Sequence, residues 1–137
     1  MRWLVKSEPG SFSWAQQAAN GTEPWTGVRN HAAKNNLAAM RLGELAFFYH
    51  SGTGREIVGV AEVAREAYPD PTAETGPWLC VDLRAVGPMP RPVTLAQVKA
   101  EPALAGMALV RLSRLSVGPV SEAEWRHVCA LGDWKAA

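Results

Sequence analysis

The sequence predicts an α+β fold, a small mixed, mostly antiparallel β-barrel with covering helices. Three observations carry this reading. Five or six short runs have the apolar alternation of strands, N-cap and capping-box signals open helices between them, and no internal repeat, heptad or low-complexity tract suggests another architecture. At 137 residues, with 47% hydrophobic and 20% charged residues, one domain is expected over 1–137.

The first strand spans residues 2 to 6, where Trp3 and Val5 alternate with Arg2, Leu4 and Lys6 until Pro9-Gly10 stops it. Ser11 or Ser13 caps a short helix from Trp14 to Ala19, ended by Asn20-Gly21 and expected to cover a barrel mouth. After Pro24-Trp25-Thr26-Gly27, Asn30 serves as N-cap of a helix over 31–40, with Ala33, Leu37 and Met40 at helical spacing. A buried strand over 45–49 and a turn at 51–54 follow. Paired strands over 57–68 and 78–86 flank a loop over 69–77, and Gly87-Pro88-Met89-Pro90-Arg91-Pro92 reads as another loop. Thr94 to Gln97 has capping-box spacing for a helix to Ala100. A last strand near 113–117 leads through Gly118-Pro119 to a second capping box, Ser121 to Glu124, and a helix that ends near Gly132.

Several function classes are disfavoured. A formal net charge of +1 cannot support strong non-specific polyanion binding, so any affinity for nucleic acid has to come largely from contacts to a base. No apolar stretch approaches the roughly 20 residues of a membrane span, and the start is too short for a signal h-region, so no membrane partner and a cytoplasmic location are expected. Cys80 and Cys129 fall in apolar patterns and read as buried thiols. Zinc-deaminase spacing, a phosphate-binding Gly loop and a nucleophile elbow are all missing; Glu8, His50 and Ser116 would form a hydrolytic set only if the fold brought them together.

Four segments place polar side chains at the ends of apolar runs. Ser7-Glu8-Pro9 offers a hydroxyl and a carboxylate to a base edge, or else is a polar turn. Trp25, ahead of Val28, Arg29 and Asn30, offers an indole face, or else joins the core. Tyr49-His50-Ser51 ends a very apolar strand, with a satisfied structural histidine as the alternative. Arg114, Leu115, Ser116 and Val117 put Arg114 and Ser116 on one face of a strand. Arg29, Lys34 and Arg41 follow phosphates or form a solvated face.

Taken in order, Trp3 to Pro9, Trp25 to Asn30, Phe48 to Ser51 and Arg114 to Val117 resemble the EVE domain family of the PUA-like superfamily. Asn36-Leu37 with Met40, Ile57 to Val63, Tyr68-Pro69-Asp70 and Glu124-Trp125 extend the match over nearly the whole chain. The resemblance implies a PUA-like barrel, akin to the YTH readers of methylated adenine, with a pocket for a flipped, modified base. It implies a lining from Ser7, Glu8, Pro9, Trp25, Val28, Asn30, Tyr49, His50, Ser51, Leu115, Ser116 and Val117, with Lys6, Arg29, Lys34 and Arg114 nearer the phosphates. Where the family usually carries Tyr-Gln-Ala-Arg-Asn after the asparagine, this chain has His31-Ala32-Ala33-Lys34-Asn35, and Lys34 lacks the bidentate fork of arginine.

The expectation is a non-catalytic reader of a modified base, such as methylated or hydroxymethylated cytosine, in DNA or RNA. It is expected to act as a monomer without cofactor or metal. The alternatives are an enzyme acting on a nucleobase or nucleotide, with Glu8 or His50 as general base, and a small-molecule nucleoside sensor.

Overall fold

Trp3 and Val5 face one side of the first strand and Leu4 the other, and this split divides the core into two apolar clusters. The computed structural model describes residues 1–135. Its strands are β1 (Arg2–Ser7), β2 (Thr22–Pro24), β3 (Leu45–His50), β4 (Glu56–Pro69), β5 (Leu79–Thr94) and β6 (Val117–Val120). Its α-helices are α1 (Trp14–Asn20), α2 (His31–Ala39), α3 (Leu95–Ala100), α4 (Ala108–Arg111) and α5 (Glu122–Gly132).

The strands form one mixed, mostly antiparallel sheet in the order β2-β5-β4-β3-β1-β6, in which, among the described residues, only the β1–β3 pair is parallel. β4 and β5 are long, and their ladder shifts register at four places between Ile57 and Tyr68. Such bulges add twist and curl a sheet. The curl is tight enough that Glu23 and Pro24 of β2 and Ser116, just ahead of β6, line the same cavity. The sheet therefore curls into an open barrel, as the PUA-like resemblance implies, with a seam between β2 and β6 that no ladder closes among the described residues.

Inside the curl, Trp3, Val5, Phe48, Val81, Leu83 and Val117 pack against Ala33, Leu37 and Met40, the apolar positions that the sequence places on α2. On the other side, Leu4, Phe47, Ile57 and Val60 meet α3, α4 and α5, and Trp125 stacks on Phe47 with ring centroids 3.8 Å apart. Ser13, Asn30, Thr94 and Ser121 cap α1, α2, α3 and α5 by accepting from a backbone N–H of the first turn. At Gly59 the Trp14 indole lies directly on the backbone, so an added Cβ would stand 2.6 Å from its ring atoms. No helix is long and apolar enough to cross a membrane among the described residues. Cys80 and Cys129 are both free.

Two expectations need correction. Residues 87–92 are not a loop but the second half of β5. In a strand, residues two apart direct their backbone N–H to the same side, so Pro88, Pro90 and Pro92 all withhold a donor from one edge. β2 pairs with β5 only at Asp82, Leu83 and Arg84, so beyond it that edge needs no donors. The last strand begins at Val117 rather than near 113: Leu115 N–H donates to Leu112 O, and Lys6 Nζ donates to Ser113 O, which holds 112–116 as a turn. Arg114 and Ser116 therefore do not alternate on a strand. The short strand β2, the helix α4 and a 3-10 turn over Pro102–Leu104 carry no sequence signal strong enough to be expected.

Candidate functional site

The seam encloses a cavity of about 340 Å³, at the lower end of the ~300–1,000 Å³ range of small-ligand sites. Its apolar wall is Trp25 and Phe12. Trp25 N–H donates to Val81 O at 2.7 Å, prolonging the β2–β5 pairing by one residue and fixing the indole edge-on to Phe48 and Phe12, at centroid distances of 5.5 and 6.1 Å. Phe12 is brought in by the turn after β1. There the N–H groups of Ser11 and Phe12 both donate to Glu8 O, and Ser7 Oγ donates to Phe12 O at 2.6 Å. With its proton used in this way, the Ser7 hydroxyl offers a guest only its lone pairs.

The polar side of the cavity carries both kinds of group. Glu23 Oε1 accepts from Asn20 Nδ2 at 2.9 Å, and no cation lies within 4.0 Å of its carboxylate among the described residues. Thr26 and Ser116 line the cavity with hydroxyls that have no hydrogen-bond partner among the described residues. Lys6 also lines the cavity, but its Nζ donates to Ser113 O at 2.9 Å and lies 5.9 Å from the centre of the Tyr49 ring, with burial holding its pKa below the usual lysine value. Two flat hydrophobic rings, two acceptors and two free hydroxyls suit a small planar heterocycle that bears an amine and a carbonyl.

The lip of this cavity is tied down from below by Asp70, whose side chain is fully buried. Its Oδ2 accepts from Gly27 N–H at 2.8 Å and from Arg29 Nη1 at 3.0 Å, while its Oδ1 accepts from both the N–H and the hydroxyl of Thr72 at 2.7 Å. Burial pushes the Asp70 carboxyl up, but the Thr72, Gly27 and Arg29 hydrogen bonds outweigh it and bring the pKa down to about 2. Gly27 has φ +85, the left-handed region, which turns the chain from β2 toward α2 and aims its N–H at that carboxylate. Arg29 also donates to Val28 O and Thr72 Oγ1 and stands 5.9 Å over Trp78, so most of its guanidinium serves the clamp.

The structure brings Lys6, Ser7, Trp25, Val28, Arg29 and Ser116 of the expected residues into this lining. The others lie elsewhere. Tyr49 and Ser51 border a second cavity that shares Lys6 with the first, and Asn30, Arg114 and Leu115 border a shallow depression beside Leu112. Asn30 Oδ1 is used in capping α2. Glu8, Pro9, His50, Val117 and Lys34 border none of the three: Glu8 is exposed and Val117 is in the core. His50 Nε2 accepts from Trp14 N–H at 3.0 Å, which requires a neutral ring, and burial lowers its pKa accordingly. Glu8, His50 and Ser116 thus form no hydrolytic set.

Phe12, Glu23, Thr26 and Asp70 are the residues that sequence reasoning missed. An aromatic isolated in the polar turn between Glu8 and Ser13, and a carboxylate directly ahead of Pro24-Trp25, were available signals.

Comparison with known proteins gives a consistent picture. The EVE domain family profile matches residues 1–131. Thymocyte nuclear protein 1 of Homo sapiens is 37% identical, over 94% of this chain and 72% of that protein. Among solved structures, a Rhodopseudomonas palustris protein is 58% identical with a TM-score of 0.93, covering 99% of this chain and 95% of its own. Human THYN1 protein in complex with 5-methylcytosine containing DNA is 34% identical with a TM-score of 0.89, covering 98% of this chain and 99% of its own.

Proposed function

We propose, from the premise that the chain belongs to the EVE domain family, that it is a nucleic-acid-binding reader that takes one flipped, modified base into the Trp25 cavity. The observation that carries this is the pairing of an apolar Trp25–Phe12 wall with the Glu23 carboxylate and the Ser116 and Thr26 hydroxyls around about 340 Å³. The human THYN1 protein, solved with 5-methylcytosine containing DNA, directs the reading to a methylated or hydroxymethylated cytosine. Glu23 would accept from the exocyclic amine, the free hydroxyls would donate to the ring carbonyl, and a methyl group would lie against Phe12 and Trp25.

The energies are compatible. Extruding a base costs a few kcal/mol, stacking returns ~1–3 kcal/mol, and each net hydrogen bond adds about 0.5–1.5 kcal/mol. One wall and two or three bonds are enough for a damaged or modified base in a flexible strand. The reading is non-catalytic, for a monomer without cofactor or metal in the cytoplasm. Glu8 and His50, on which a general-base mechanism would rest, do not border the cavity.

The test is a fluorescence-anisotropy titration with oligonucleotides that differ only at one cytosine. The modified strand should bind about tenfold more tightly than the plain one, and Glu23→Ala should weaken it about tenfold. Equal binding of both strands, unaffected by Glu23→Ala, would refute the reading.

A further inference from the structure

Beside the first cavity lies a second of about 300 Å³, which contains three cations, Lys6, Arg55 and Lys99, and no acidic residue. None of the three is within 4.0 Å of a carboxylate among the described residues. In a protein of net charge +1, cations gathered without counter-charge around one concavity repel one another, and an anion is what would relieve them. The cavity is also fixed in relation to the first. Lys6 lines both, and Ser51 of the second lining donates its N–H to O of Ser7 of the first at 2.9 Å, so the backbones that carry the two linings are tied together. Arg55 is held at φ +49 with its Nε donating to Gly52 O, which plants its guanidinium at the rim, and the Ser51 side chain adds a donor.

We infer that this second cavity is a phosphate subsite: it takes the backbone phosphate next to the base held in the first cavity, through Lys6, Arg55 and Lys99. The inference rests on the base-reading proposal above and changes the expected path of the strand. Arg29 is occupied with Asp70, Val28 O and Thr72, and Lys34 borders neither cavity. Arg114 borders a separate depression, walled largely by Leu112, Leu115 and Ala32. The cations available beside the base are those of the second cavity.

Arg55 and Lys99 are exposed, so replacing them leaves the core untouched. The full chain, Arg55→Gln/Lys99→Gln and Lys34→Gln/Arg114→Gln are titrated with a modified and a plain single-stranded oligonucleotide at several salt concentrations. Loss of the single phosphate contact should lower the slope of log affinity against log salt by about 0.7, the value for one neutralised phosphate on a single strand. The Arg55→Gln/Lys99→Gln protein should show this and at least a tenfold loss of affinity at low salt, with the ratio of modified to plain binding unchanged. The Lys34→Gln/Arg114→Gln protein should keep most of its slope. An unchanged slope in Arg55→Gln/Lys99→Gln, or a larger loss in Lys34→Gln/Arg114→Gln, overturns the subsite while a retained base preference leaves the reader standing. A slope that depends on Arg55 and Lys99 without any base preference supports the subsite and rejects the reader. Binding of neither oligonucleotide by the unaltered chain rejects both.

Discussion

Asp70 receives four hydrogen bonds on a fully buried carboxylate, and three of their donors belong to Gly27 and Thr72, on separate loops. Asp70→Asn leaves an amide facing donors on at least one side. It should cost about 2–3 kcal/mol in urea unfolding, as expected for a buried charge-assisted contact, and should weaken ligand binding by loosening the Gly27 lip. Because the folded pKa is about 2, below the ordinary 3.8, the unfolded chain takes up this proton more readily. The stabilisation is therefore complete above 3.8 and is lost as the pH falls through about 2; it amounts to about 2 kcal/mol, and an acid-unfolding titration of the parent and Asp70→Asn should show the difference vanish there. Asp70 was hard to see in the sequence because its partner Gly27 is 43 residues away and only the fold joins them. Ser7 was easier, since it sits at a strand end that alternation already marks, and Trp25 stood out as an indole just ahead of Val28, Arg29 and Asn30. Even so, which atom of Ser7 is spoken for depends on where Phe12 O lies.

At the level of elements, the helices with capping signals were legible because a cap is a local event: Ser13, Thr94 and Ser121 each meet a partner three residues on. The β5 strand was legible only in its first half. Its proline-rich half depends on which edge is paired, and a single strand cannot disclose its neighbours. The contact of α1 with the sheet depends on Gly59, where the Trp14 indole occupies the place of a side chain. Gly59→Ala should force Trp14 away from Phe48, with which it makes an edge contact at 5.3 Å. Overpacking of this kind costs about 1–3 kcal/mol, and a lowered urea midpoint at unchanged slope would report it; a midpoint equal to the parent's would show that α1 can shift freely.

For the whole molecule, the net charge of +1 limits how much binding phosphates can supply. One neutralised phosphate gives a slope near 0.7, so raising salt from 50 to 200 mM should weaken single-strand binding only about threefold, against roughly 10³–10⁵ for a protein making 6–10 contacts. A much steeper salt dependence in the same titration would mean that the strand covers far more of the surface than the two cavities. The α+β class and the order of most elements could be read from periodicity, but the placement of the site could not. Tyr49 and His50, like Ser7, stand at strand ends, yet Tyr49 faces the cavity on the far side of Lys6, and His50 holds the start of α1.

The unclosed seam gives the barrel one place where it can part at little expense. Because no ladder spans it among the described residues, letting a guest in or out need break only side-chain contacts such as the Phe12–Trp25 edge, while every paired strand stays zipped. Breathing at the mouth is thereby uncoupled from unfolding, and slow amide exchange in β1, β3 and β4 should persist in a molecule whose entrance opens and shuts many times over.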